Sequence, residues 1–179
     1  MLLTHGHFDH VGGLLADGKA VFPKAIIYIA TRDIATFDDK ALAAVPADMK
    51  PYVEPANRVL KAYAGKIKSF EPGARIADTI TSVDLSGHTP GQTGYMVESE
   101  GQKFFMFGDL LHIEGVQFAY PSYSLVYDSD IPAAVRMRQK TLEWLAREKI
   151  LCAGSHMVYP GFGHVSKNGT GFIFTGIGK

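Results

Sequence analysis

Four times along this 179-residue sequence an apolar, strand-like run passes within a few residues into a histidine or an aspartate, and this recurrence constrains the fold more than any other feature. Met1-Leu2-Leu3 runs into Thr4-His5-Gly6-His7-Phe8-Asp9-His10. Residues 80–85 lead through Ser86-Gly87 to His88, Phe104-Phe105-Met106-Phe107 through Gly108 to Asp109, and residues 150–153 through Gly154-Ser155 to His156. Strands that end in polar, glycine-containing loops describe an α/β layered domain whose chemistry lies on loops at strand ends. The length and an ordinary share of apolar residues fit one domain over residues 1–179 with a buried core.

Local patterns place the other elements. Residues 11–16 suit a short helix start, and residues 25–30 form a β-prone apolar run. Thr31 is an expected N-cap for a helix through Ile34 and Phe37, and Pro55 begins an expected helix over 55–64. Residues 80–85, 94–98 and 103–107 read as short strands, the last two joined by a turn at Glu100-Gly101. Residues 131–149 carry Val135, Leu142 and Leu145 on an otherwise charged, helical pattern, and residues 150–153 follow as a strand containing Cys152, expected as a small buried hydrophobe. Phe104, Phe105 and Phe107 are expected in the core.

Three imidazoles and one carboxylate between His5 and His10 are hard to explain by structural need. Neutral imidazole nitrogen and carboxylate oxygen both bind Zn²⁺ at about 2.0–2.2 Å. Four donors do not complete two metal sites, so further donors are expected on loops after strands. His88, Asp109 and His156 occupy such positions. His164 reads as an ordinary polar side chain.

The 18 basic and 18 acidic residues cancel, without a Lys/Arg cluster, which argues against a nucleic-acid partner or an anionic membrane surface. No apolar stretch approaches the roughly 20 residues of a membrane-spanning helix. A small-molecule substrate fits better, with homodimer formation left open. The single cysteine forbids an intramolecular disulfide, and the compartment is left open; a periplasmic or secreted location would follow from a signal peptide upstream of Met1.

His-x-His-x-Asp-His at residues 5–10, Gly-His-Thr-Pro-Gly at 87–91, Gly-Asp at 108–109 and a late His156 together resemble the ligand pattern of the metallo-β-lactamase superfamily. The stretches at 108–112, 116–118, 127–130 and 156–164 resemble its methyl parathion hydrolase and lactonase branch. The resemblance implies an αββα sandwich. It puts His5, His7 and His88 on one zinc, Asp9, His10 and His156 on a second, and Asp109 between them. It further implies a metal-bridging hydroxide that attacks small-molecule esters, lactones or phosphotriesters, with Asp9 orienting the hydroxide. His112 would stand beside the substrate oxygen, stabilising an oxyanion or leaving group. Phe8, Phe118 and Tyr120 are expected to line an apolar pocket.

The family's N-terminal strands precede the first motif, so an N-terminally shortened chain lacking part of the first sheet is expected. Two alternatives follow: a metal-binding but inactive fragment, and a β-lactam hydrolase. An aspartate at position 109 argues against the β-lactamases that use cysteine there.

Overall fold

Met1 to Leu3 pair as a strand end should: Leu3 N donates to the Tyr28 carbonyl at 2.9 Å, Tyr28 N donates to the Met1 carbonyl at 2.8 Å, and Leu2 bridges Tyr28 in parallel. The chain is seen in a computed structural model that describes residues 1–178. It divides into two compact units, Met1–Glu71 and Pro72–Lys179.

In the first unit the order is α1 (Phe8–Val11), the small hairpin β1 (Leu15–Ala16) and β2 (Lys19–Ala20), β3 (Ile27–Ala30), α2 (Thr31–Phe37), α3 (Asp39–Ala44), α4 (Lys50–Ala62) and β4 (Ile67–Phe70). β3 and β4 pair in parallel, joined by the helices. A core of Leu3, Val11, Leu14, Ile27, Ile29, Phe37, Val59 and Tyr63 lies beneath them. Tyr63 is fully buried, and its hydroxyl donates to the Leu14 carbonyl at 3.1 Å, so the phenol has a partner in that core.

Three local expectations shift here. The helix expected over residues 11–16 begins earlier, at Phe8, and passes into a 3₁₀ turn at Gly12–Leu14, so Asp9 and His10 stand on helical backbone. Thr31 is the first helical residue rather than the cap, which is Ala30; its hydroxyl donates instead to the Phe70 carbonyl at 3.2 Å. The helix expected from Pro55 starts at Lys50, with Pro51 in its first turn and Pro55 inside it. Pro55 removes one backbone donor, but burial of Ala56, Asn57 and Val59 sustains the helix around it. Asn57 also donates to the Phe37 carbonyl and to Asp39, both at 3.1 Å, joining α4 to the end of α2.

The second unit is built on a seven-stranded sheet in the order β11-β10-β9-β8-β7-β6-β5. Its strands are β5 (Arg75–Ala77), β6 (Ile80–Asp84), β7 (Thr93–Ser99), β8 (Gln102–Met106), β9 (Leu151–Ala153), β10 (Phe162–Asn168) and β11 (Gly171–Gly176), with α5 (Glu114–Gln117) and α6 (Ile131–Glu148) between β8 and β9. Neighbours are antiparallel except β8 and β9, which run parallel and therefore need a crossover. α6 lies within that crossover and buries Ala134, Arg138, Thr141, Leu142 and Leu145, one face of the helix. Leu142, Leu145, Phe105, Phe107 and Cys152 are fully buried, each large apolar side chain contributing about 1.5–3 kcal/mol. Phe104 is only half-buried and stacks on Phe162 at 5.6 Å.

The strands expected over 80–85, 94–98 and 103–107 correspond to β6, β7 and β8 within one or two residues. The terminal hairpin β10–β11 and the short strands β4 and β5 were not anticipated. Only Gly163 and Val165 of β10 are buried, and apart from Phe162 its exposed positions are polar, so its apolar alternation is faint. No helix among the described residues is long and apolar enough to cross a membrane.

Candidate metal centre

The first unit gathers the opening donors on one turn and α1. The His5 ring centroid lies 4.7 Å from that of His7 and 4.0 Å from that of His10. His5 is fully buried, and Thr4 Oγ1 is 3.1 Å from its Nδ1. Between the first two histidines, Gly6 N donates to Oδ2 of the buried Asp33 at 2.7 Å, so α2 anchors the turn through a carboxylate. A side chain at Gly6 would meet the Phe37 ring at 2.5 Å. The His7 carbonyl accepts from His10 N and Val11 N at 3.0 and 3.2 Å, which turns Asp9 and His10 into α1. Asp9 is exposed, its Oδ2 3.5 Å from His10 Nε2.

The second unit gathers three imidazoles around one carboxylate oxygen. Asp109 Oδ2 lies 3.0 Å from His156 Nε2, 3.3 Å from His112 Nε2 and 3.5 Å from His88 Nε2. Asp109 and His88 are buried, whereas the His156 side chain is 35% exposed. The His112 ring stacks on His156 at 5.0 Å and lies 4.6 Å from that of His88. One donor atom from each of His88, Asp109 and His112 lies within 4.8 Å of the others, a group able to hold an ion.

Each of these side chains has a local reason to be there. The Gly87 and His88 carbonyls accept from the backbone of Asp130 and Ser129 at 2.9 and 3.0 Å, tying the strand-end turn to the entry of α6. Gly87 has φ +147, and a Cβ there would lie 2.4 Å from Ala134 N, so only glycine allows the helix this close. That contact delivers Asp128 to His88: Asp128 Oδ1 is 3.1 Å from His88 Nδ1. Beyond it, Arg138 Nη2 donates to Asp128 Oδ2 at 3.3 Å. Burial works to raise the Asp128 pKa, but the hydrogen bond with His88 and the Arg138 charge outweigh it and hold the carboxyl below its ordinary value.

Gln117 fixes the next loop. Its Oε1 accepts from His112 N at 2.7 Å and Ile113 N at 3.0 Å, and its Nε2 donates to the Tyr123 carbonyl at 3.0 Å. This side-chain amide bonds the backbone that carries His112.

The donor chemistry fits a divalent ion of zinc's character: imidazole nitrogen with carboxylate oxygen, and a histidine whose second nitrogen is held by an outer carboxylate.

The model of the metallo-β-lactamase superfamily matches residues 1–161. The chain belongs to that superfamily. Among solved structures, the hydrolase AbOPH of the β-lactamase superfamily aligns at 30% identity and TM-score 0.88 over 99% of this chain and 64% of its own. The dizinc quorum-quenching lactonase AidC, in complex with the product N-hexanoyl-L-homoserine, aligns at 27% identity and TM-score 0.91 over the same shares. A metal-dependent hydrolase described as probable, from Staphylococcus aureus, shares the fold at 22% identity and TM-score 0.75, covering 97% of this chain and 61% of that one. This chain thus spans 64% of the length of the first two. No curated protein matches it.

The metallo-β-lactamase fold expected from the motifs is therefore present. Within each unit the motif donors converge: His5, His7, Asp9 and His10 in the first, His88, Asp109 and His156 in the second, with His112 beside them. His164 is an exposed residue of β10 on a groove lined by Glu143, Arg147, Lys149 and Lys167, apart from His156. One expectation needs correction. Phe118 lines no substrate pocket: it is buried and stacks on Phe174 at 5.3 Å in the core, whereas Tyr120 and Phe8 are exposed. Sequence reasoning missed the roles of Asp33, Asp128, Gln117 and Arg138; of these, only Asp128 and Gln117 fall within the motif stretches, and nothing there marks their partners.

Proposed function

We propose that this chain acts as a metal-dependent hydrolase of small molecules, holding two zinc ions with His5, His7, Asp9, His10, His88, Asp109 and His156. The observation that carries this reading is the set of three imidazole nitrogens within 3.0–3.5 Å of one buried Asp109 oxygen. A buried carboxylate among imidazoles would suit a metal ion, which supports the reading together with the family's ligand pattern.

Bound zinc supplies Lewis acidity toward a carbonyl or phosphoryl oxygen and lowers the pKa of water toward about 7. The chain's own groups then have distinct tasks. Asp109 would supply negative charge to offset that of bound ions beside His88 and His156. Asp128 holds the His88 ring by its Nδ1 so that Nε2 faces Asp109. His112 is held by its backbone and presents Nε2 beside Asp109, where it can hydrogen-bond a substrate or leaving-group oxygen. Asp9, exposed at the start of α1, can orient the attacking water.

The likeness to a dizinc lactonase supports lactones, N-acyl homoserine lactones first, as the substrate class, with aryl esters and phosphotriesters as related acyl and phosphoryl centres. The test combines zinc content by elemental analysis with turnover of N-hexanoyl homoserine lactone, an aryl ester and a paraoxon-type triester. Two zinc ions per chain and lactone turnover that chelation abolishes are expected. Two ions with no turnover of any substrate would replace this reading with a metal-binding, inactive fragment.

A further inference from the structure

Arg138 is the largest fully buried side chain among the described residues, and it stands on the face of α6 that otherwise carries alanine, threonine and leucine. A buried guanidinium must find acceptors for its donors, and this one does. Nε donates to the Leu110 carbonyl at 2.7 Å, Nη1 to the carbonyls of Tyr123 at 2.6 Å and Pro121 at 3.1 Å, and Nη2 to Asp128 Oδ2 at 3.3 Å. Leu110 directly follows Asp109, and Asp128 holds His88. The Tyr123 carbonyl also accepts from Gln117, whose Oε1 holds the backbone of His112. One side chain therefore bonds the loop that carries Asp109 and the carboxylate that holds His88, and shares an acceptor with the residue that holds His112.

We propose that Arg138 is a positioning residue which, through Asp128, fixes the tautomer and ring orientation of His88 and, through the Leu110 carbonyl, fixes the loop of Asp109. The inference rests on His88 and Asp109 being metal ligands, as argued above. Its physical content is the division of Asp128: one oxygen is committed to Arg138 and the other to His88 Nδ1. The Nδ1 position then carries the ring proton, and the Nε2 lone pair is offered on the side of Asp109. The hydrogen bond made by the second ring nitrogen decides which one binds a metal. Burying a charged pair gives little net stability compared with an apolar replacement of equal volume, so packing alone does not account for Arg138. A lysine carries the charge but cannot reproduce the four-acceptor fork.

Asp128→Asn is the discriminating variant because it keeps the shape. Its amide oxygen would turn to Arg138 and its NH₂ to His88, which moves the ring proton to Nε2. In the metal-free protein, ¹⁵N NMR should show His88 protonated at Nδ1 in the wild type and at Nε2 in Asp128→Asn. Chelator competition should show zinc affinity reduced on the order of 10–100-fold, and the metal-free melting temperature should fall because the buried Arg138 charge loses its counter-charge; the shift of the ring proton is the readout that a merely structural role would not give. Arg138→Lys, which retains charge, should also lower zinc affinity and leave His88 in a mixture of tautomers. Wild-type His88 protonated at Nε2, or wild-type zinc affinity in Asp128→Asn, would overturn the inference. A wild type that binds no zinc yet keeps the proton on Nδ1 would sink the hydrolase reading while supporting the positioning of His88 by Asp128.

Discussion

The carboxylate of Asp109 meets Nε2 of His156 at 3.0 Å, across 47 residues of sequence. The contact exists because β8 and β9 lie side by side in parallel, so that the loops after them leave the sheet at the same end. Asp109→Ala removes the oxygen that faces three imidazoles. Since loss of an outer-shell partner already lowers metal affinity about 10–100-fold, loss of this group should exceed that and abolish lactone hydrolysis. A variant that keeps both zinc ions and its turnover would refute a bridging Asp109.

His112 and His156 stack at 5.0 Å, but the two should separate by function. His112→Ala should keep the zinc content and reduce kcat by about 10²–10³-fold, the usual effect of losing one hydrogen-bond donor to a developing oxyanion. His156→Ala should lose zinc. Elemental analysis of the two variants alongside kcat measures the split; zinc loss in His112→Ala would make it a ligand instead.

Gly154, one residue after β9, faces the ring of Phe107. A Cβ there would lie 2.0 Å from Phe107 Cε2, and Phe107 is fully buried. Gly154→Ala should therefore destabilise the protein by about 1–3 kcal/mol, as overpacking does. Adding Phe107→Leu should recover part of that loss, a non-additivity that thermal denaturation of the single and double variants reads directly.

Cys152 is buried in β9, and burial pushes its thiol up to about 12. The native protein at pH 8 should resist thiol reagents, and the unfolded protein should react at once. The sign of the stability effect follows from the raised value. Below the unfolded thiol pKa of about 8.5 the neutral thiol's contribution is fully present. It is lost as pH climbs toward about 12, because only the unfolded chain can ionise freely in that window. Cys152→Ala should flatten this part of the stability profile; an unchanged slope would contradict the assignment.

The candidate donors could be picked out in the sequence because they follow a local signal: an apolar run, a glycine, then histidine or aspartate. The strand expected over residues 103–107 and the loop carrying Asp109 sit where that signal puts them. The C-terminal hairpin escaped because β10 exposes most of its side chains, leaving little alternation to read. Phe118 was placed in a pocket because aromatic character alone does not distinguish a substrate wall from the core, and its partner Phe174 lies in the unanticipated β11.

By itself, then, the sequence determined the donor types, the turns that carry them and the superfamily, since all of these are written in contiguous residues. Tertiary structure alone decided how the second-unit donors are held. Arg138 reads as one more surface charge on an amphipathic helix, and Asp128 as part of a polar turn 40 residues from His88. Only the docking of α6 against Gly87 makes them a buried chain ending on the His88 imidazole. A hydrogen bond between sequence-distant groups leaves no local pattern, because its partners are selected by packing and not by spacing.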